Sequence, residues 1–359
     1  MLFQKTQAIS TIFSRYDKLL RNYFSFAYLG AIHTWFGLDE MSIRPVRTTA
    51  ASTTKFPYIT ALRPRQWTKN LIVFAAPLFA FSVSWQSFLA SLLALALFCC
   101  ASSGFYLLND IADVESDRQH PIKRKRPIAA GLVTIWVAIV MAVVLLGSAL
   151  IFGWLLTPTL GAILVCYVIL QLAYNLWLKH APILDIVALA TGFILRAYAG
   201  AAATGIPVSP WFVLCTAMLA LFLGVEKRKA ELRSKIRGSK PRSVLKHYSL
   251  PLLTRMESTV TTGTVMSYAL WSSGPYVGGA STSWMLLTLP FVLYGIFRYQ
   301  LLSDLRGTSS RRDANPEKRG ATEQPEEVLL KDLPILGTVV GWILTSLVIL
   351  WLANKGLIA

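Results

Sequence analysis

Charge is scarce in this sequence, and acidic charge scarcest. Only 15% of the 359 residues are Asp, Glu, Lys or Arg, well short of the ~25% of an ordinary soluble domain, while 54% are hydrophobic. That balance, with a mean hydropathy of +0.52, excludes a soluble globule, which would have nowhere to place so much apolar surface. Cysteine is rare too: Cys99, Cys100, Cys166 and Cys215 lie inside apolar stretches with neither a paired framework nor metal-ligand spacing. This argues against a disulfide scaffold and against structural zinc. Clean leader features are missing from residues 1–55, where basic residues are spread out and no apolar core precedes a small-residue cleavage site.

What the chain has instead is long apolar runs. Stretches of bilayer-spanning length, roughly 17 to 25 residues, read at 70–84, 86–108, 132–154, 158–177, 183–203, 211–226, 258–276, 283–301 and 334–353. The expected fold is therefore all-α and integral to the membrane, with about nine spanning helices. Nearly all of the 35 Lys and Arg fall before the first stretch or in alternate connections, around Lys123 to Arg126, Lys179, Lys227 to Arg255 and Arg298 to Lys331. The connections near Ser84, Thr157, Gly205 and Gly274 carry none. The positive-inside rule then puts the N-terminus and the charged loops in the cytoplasm and the C-terminus outside. The net charge of +17 is a topology signal, which removes the reason to expect nucleic acid as a partner.

Residues 1–58 read as a cytoplasmic extension, either an amphipathic surface helix over Tyr23 to Phe36 or a disordered arm. Residues 59–355 read as the transmembrane catalytic domain, interrupted by a flexible cytoplasmic loop at 303–331 rich in charge, Gly, Pro and Ser.

The chemistry concentrates where the second apolar stretch ends, in Asn109-Asp110-Ile-Ala-Asp113-Val-Glu115-Ser-Asp117-Arg118. On a helix Asn109, Asp113 and Asp117 recur every fourth residue and share a face, with Asp110 beside them and Glu115 turned away. Carboxylates so gathered repel unless a cation joins them. Hard oxygen donors favour Mg²⁺, which takes its remaining ligands from water and substrate phosphates. Within nine residues follow Lys123, Arg124, Lys125 and Arg126, so groups for anions stand beside groups for the metal. His120 before Pro121 is the nearest histidine, and no strong general base stands out.

Asn109-Asp110-xx-Asp113-xxx-Asp117-Arg118, followed by His120-Pro121, Arg126-Pro127 and Gly131, resembles the first signature of the UbiA-type intramembrane prenyltransferase superfamily, over about residues 60–355. The resemblance implies nine helices around a lipid-facing cavity. Through Tyr174-Asn-Leu-Trp-Leu-Lys179 it also implies that Lys179 faces a diphosphate. The second half departs from members that prenylate aromatic acceptors. Where those carry a second aspartate cluster, this chain has Glu226-Lys227-Arg228-Lys229-Ala230-Glu231, and a cationic cluster suits a metal-free phosphate.

Three further segments resemble the branch of that superfamily that makes decaprenylphosphoryl-phosphoribose: Leu62 to Asn70, Leu184 to Ala197, and Leu221 to Leu232. What this implies is a Mg²⁺-dependent transfer of 5-phosphoribose from phosphoribosyl pyrophosphate to a polyprenyl phosphate in a bacterial plasma membrane, with the site on the cytoplasmic face. The alternative is transfer of a prenyl group from a prenyl diphosphate to an aromatic acceptor.

In the phosphoribosyl reading Asp110, Asp113 and Asp117 hold the metal. Asn109, Arg118, Lys123, Arg124, Arg126 and Lys179 surround the pyrophosphate, and Lys227, Arg228 and Lys229 take a second phosphate. Arg63 and Lys69 open the first helix as further phosphate groups, and Asp185 reaches the metal or the ribose hydroxyls. Arg196, about 16 Å along the same helix from Asp185, is too distant to pair with it and needs another partner. The oligomeric state is left open, a homo-oligomer included.

Overall fold

In the computed structural model, residues 56–80, 84–120, 123–236, 243–275, 279–309 and 332–357 are described. The expected N-terminal extension falls outside them as far as residue 55.

The described chain is helical throughout. After α1 (Pro57–Ala61) comes an 11-residue 3-10 segment, Pro64–Phe74, and then α2 (Ala75–Phe79). The long helices follow: α3 (Trp85–Ala112), α5 (Ile135–Leu156), α6 (Pro158–Leu176), α7 (Leu184–Thr204), α8 (Pro210–Ile236), α9 (Leu250–Ser272), α10 (Leu289–Ser309) and α11 (Leu333–Asn354), with the short α4 (Val114–Gln119) after α3. The limits of these helices are chemical. Ser84 caps α3 by accepting from the Ser87 N–H, and Thr157 caps α6 just before Pro158 while ending α5, so one residue turns the chain.

Seven segments among the described residues are long and apolar enough to span: α3, α5, α6, α7, Pro210–Arg233 of α8, Ser283–Asp304 and α11. Two expected spans differ. Helix α9 has 23 residues, yet Arg255 and Glu257 in its first turns lower its hydropathy, and it starts well before the expected 258. The stretch 70–84 is not one α-helix. Its 3-10 backbone lies directly against α7, where a Cβ at Gly200 would sit 1.7 Å from the Val73 carbonyl oxygen. Glycine alone admits this approach. A third difference lies in the loop expected at 303–331: α10 continues through Ser309, and residues 310–331 lie outside the described set.

One core joins the 3-10 segment to α3, α5, α6 and α7 through Val73, Ala94, Phe98, Ala149, Leu160, Leu164, Tyr167 and Ala199. Small residues let these backbones approach, as membrane helices require without a hydrophobic drive between them. Buried polar groups inside this core satisfy one another. Arg196 donates from Nε to Asn70 Oδ1 (2.6 Å), from Nη2 to the Tyr167 hydroxyl (2.8 Å) and from Nη1 to the Gly192 carbonyl (2.7 Å). That is the partner set the sequence required for Arg196. Exposed tryptophans bracket the bundle, Trp136 and Trp177 at the basic end and Trp85, Trp154, Trp284 and Trp351 at the other, as interface anchors do.

Candidate active site

The aspartate segment straddles a break. Helix α3 ends at Ala112 and α4 begins at Val114, while the ladder bridges the joint: the Asp113 N–H donates to the Asn109 carbonyl (3.0 Å) and the Asp117 N–H to the Asp113 carbonyl (2.8 Å). The joint changes which side chains share a face. Asp110 and Asp117 are buried, at 3% and 1% exposure, whereas Asp113 is exposed and Asn109 half-buried. No group of three carboxylates, imidazoles or thiols stands ready for a metal among the described residues. The shared face expected of Asp113 and Asp117 is therefore not present in this conformation.

Cations hold the two buried aspartates instead. Arg126 Nη1 lies 3.0 Å from Asp110 Oδ1 and 2.5 Å from Asp117 Oδ2, so one nitrogen bridges both. Arg63 reaches Asp110 from the start of the 3-10 segment, and its guanidinium sits 5.0 Å from the centre of the Tyr106 ring. It does so from a left-handed backbone (φ 54°), a conformation that costs energy in any residue but glycine. Trp67 to Ser103 and Ser103 to the Leu62 carbonyl tie that segment to α3. Asp117 Oδ1 is buried and accepts no hydrogen bond, with Lys123 Nζ 3.9 Å away.

A buried oxygen of this kind, next to a second carboxylate, fits a hard divalent cation. Asp110 and Asp117 are the residues that would hold it, with exposed Asp113 one turn away.

Other expected members lie elsewhere. Arg118 pairs with Glu115 (2.7 Å) and the Ala129 carbonyl, Lys69 donates to Gln66, and Arg124 is exposed. Lys179 lies half-buried in the 3-10 turn Leu178–His180. Asp185 is fully buried and saturated, accepting from Arg228 Nε (2.6 Å) and from the Tyr248 hydroxyl (2.7 Å), so it reaches neither metal nor ribose in this arrangement.

The expected cationic cluster needs the same correction. Arg228 is completely buried and gives its remaining nitrogens to Glu231 (2.5 Å) and the Tyr174 hydroxyl (3.4 Å). Lys229 is surrounded by Glu226 (3.4 Å), Glu257 and Asp304 (3.3 Å), and Arg233 also pairs with Asp304 (2.6 Å). Carboxylates outnumber cations around both, so Arg228 and Lys229 are not free phosphate ligands here, and Lys227, half-buried, is also engaged.

Tyr248, Glu257 and Asp304 were missed from sequence. Glu257 had a signal, a carboxylate in an apolar helix, hidden because the expected span began at 258, just past it, whereas the helix begins at Leu250. Tyr248 had none. Burial raises its phenol pKa well above the usual value, and hydrogen bonding to Asp185 raises it further, so the hydroxyl keeps the proton it donates.

Comparisons with known proteins agree with this architecture. The profile of the UbiA prenyltransferase family matches residues 70–315. A decaprenyl-phosphate phosphoribosyltransferase of Mycolicibacterium smegmatis is 38% identical over 299 residues, covering 79% of this chain and 89% of that protein. One from Corynebacterium glutamicum is 36% identical over 293 residues, 79% of this chain and 84% of its own length. Among solved structures, a UbiA homologue from Archaeoglobus fulgidus bound to DMAPP and Mg²⁺ superposes with a TM-score of 0.60 at 17% identity, over 81% of this chain and 97% of that one. With its bundle of spanning helices and the Asp110 to Asp117 segment at their basic end, this chain is a multi-pass membrane transferase and belongs to the UbiA prenyltransferase family.

Proposed function

We propose that this enzyme transfers 5-phosphoribose from phosphoribosyl pyrophosphate to a polyprenyl phosphate and releases pyrophosphate, at the cytoplasmic face of a bacterial plasma membrane. The observation that carries the reading is the pair of buried aspartates, Asp110 and Asp117, locked by Arg63 and Arg126 at the basic end of α3, in a chain 38% identical to decaprenyl-phosphate phosphoribosyltransferases. Bound Mg²⁺ would neutralise pyrophosphate oxygens and so ease departure of the leaving group.

When the donor enters, the guanidiniums of Arg63 and Arg126 exchange carboxylate for phosphate oxygens, and Lys123 adds a third positive charge. As the bond between the anomeric carbon and the pyrophosphate oxygen breaks, these cations and Lys179 stabilise the growing charge on the leaving group. A lipid phosphate oxygen then closes the new bond to that carbon. Being anionic already, it needs no base, which matches a site without histidine other than His120. Half-buried Asn109 and exposed Asp113, on the same segment as the buried pair, would meet the donor as it binds.

The test is transfer of label from phosphoribosyl pyrophosphate into extractable lipid by purified protein, with polyprenyl phosphate and Mg²⁺. Transfer in EDTA overturns the metal assignment. A protein that ignores this donor and joins a prenyl diphosphate to an aromatic acid overturns the donor assignment.

A further inference from the structure

Among the described residues only Arg63 and Ile183 combine a side chain with positive φ. Ile183, at φ 71° and ψ −49°, occupies the rare, strained γ-turn region, and it is β-branched. Such a residue persists only where its surroundings over-determine it, at an equilibrium cost of roughly 5- to 150-fold. A chain of four contacts ties this one down. The Tyr248 hydroxyl accepts from the Ile183 N–H at 2.6 Å and donates to Asp185 at 2.7 Å. Asp185 holds Arg228 at 2.6 Å, and Arg228 reaches Tyr174 at 3.4 Å. One guanidinium thus grips both ends of the stretch 174–185. In its middle sits Lys179, half-buried and without a carboxylate partner among the described residues, whereas Arg63, Lys123, Arg126, Arg228 and Lys229 all have one.

We propose that Tyr248, acting with Asp185 and Arg228, is a positioning residue: it clamps the strained turn at Ile183 and thereby sets Lys179 toward the leaving pyrophosphate. The inference rests on the reading of Lys179 as a pyrophosphate group. A glycine at position 183 would take the turn without strain. With isoleucine there, opening the clamp releases strain and carries the Lys179 stretch to another conformation.

The experiment uses the full chain in lipid nanodiscs. Acetylation of Lys179 is read peptide by peptide, with magnesium pyrophosphate as the probe. In the wild type the probe protects Lys179. Tyr248→Phe keeps its ring among Leu245 and Leu253 but shifts the pyrophosphate midpoint for protection about tenfold upward, the scale of one hydrogen bond to a charged group. It also lowers kcat without moving the KM for lipid phosphate. Adding Ile183→Gly to Tyr248→Phe restores protection and kcat, since the Ile183 side chain is exposed and glycine removes strain with little packing. A purely structural tyrosine gives the opposite result, because added glycine flexibility weakens the fold further.

Should Tyr248→Phe fail to fold, Asp185→Asn breaks the same clamp and is expected to show the same loss and the same rescue. The proposal is overturned by unchanged protection in the clamp variants, by absence of rescue, or by a wild-type Lys179 that pyrophosphate leaves unprotected. Expected protection and rescue in a protein that transfers no phosphoribose would sink only the donor assignment.

Discussion

Arg126→Ala provides a quantitative test of the aspartate site. Its Nη1 is within 3.0 Å of Asp110 and 2.5 Å of Asp117, and both carboxylates are buried. Without it Asp110 retains Arg63, but Asp117 retains only Lys123 at 3.9 Å. Breaking a buried pair costs about 3–5 kcal/mol. The Arg126 side chain is 28% exposed, which screens part of that and leaves about 2–3 kcal/mol. A divalent cation held by the same aspartates would replace the missing charge, and at about 100 times its Kd it would return about 2.7 kcal/mol. The expected outcome is that Arg126→Ala unfolds at lower temperature in EDTA, recovers nearly to the wild type in saturating Mg²⁺, and still turns over poorly because the leaving group has lost a cation. Thermal unfolding of the purified protein across a Mg²⁺ titration measures this. If the variant gains no more from Mg²⁺ than the wild type does, the two aspartates do not share the metal and the reasoning fails.

Three other outcomes are expected. Arg228→Ala leaves Asp185 buried and Glu231 half-buried without their cation and should lower stability by about 3–5 kcal/mol; a fully stable variant altered only in a substrate KM would instead restore Arg228 to phosphate binding. Gly200→Ala forces a Cβ to within 1.7 Å of the Val73 carbonyl oxygen, so the 3-10 segment must shift. An overpacking loss of about 1–3 kcal/mol or more follows, read as a lower melting temperature and a broken Arg196 to Asn70 contact. Topology reporters fused near Gly320 and after Ala359 should report opposite sides of the membrane, and the same side for both would refute the expected arrangement of the last helix.

Apolar runs are local, and so most of the spans were legible: α3, α5, α6, α7 and α11 need only count residues. The first span was misread because hydropathy registers that 70–84 is apolar and is silent on Gly200, 130 residues along, whose missing side chain lets that backbone lie flat. The Asp110 to Asp117 motif was legible for the same local reason, its spacing being visible in eight residues. Its partners were less so. Arg63 is 47 positions from Asp110, and nothing in either segment says that one will neutralise the other. The stretch 226–231 was misjudged in sign because a sequence counts charges along one helix, whereas Asp185, Glu257 and Asp304 arrive from three others.

The 3-10 segment Pro64–Phe74 also bears on how the protein is made. Its i→i+3 ladder satisfies the backbone, but the segment also carries the polar side chains of Trp67 and Asn70, which need partners from other helices to rest inside the bundle. The groups that satisfy it are translated later: Ser103 stands 36 residues after Trp67, and Arg196 stands 126 after Asn70. The ribosome therefore releases this stretch first while the bilayer receives it late. Chains arrested before α7 emerges are expected to leave Asn70 open to water-soluble labels, and chains released after α7 to shield it, so that assembly at the catalytic end runs against the order of synthesis.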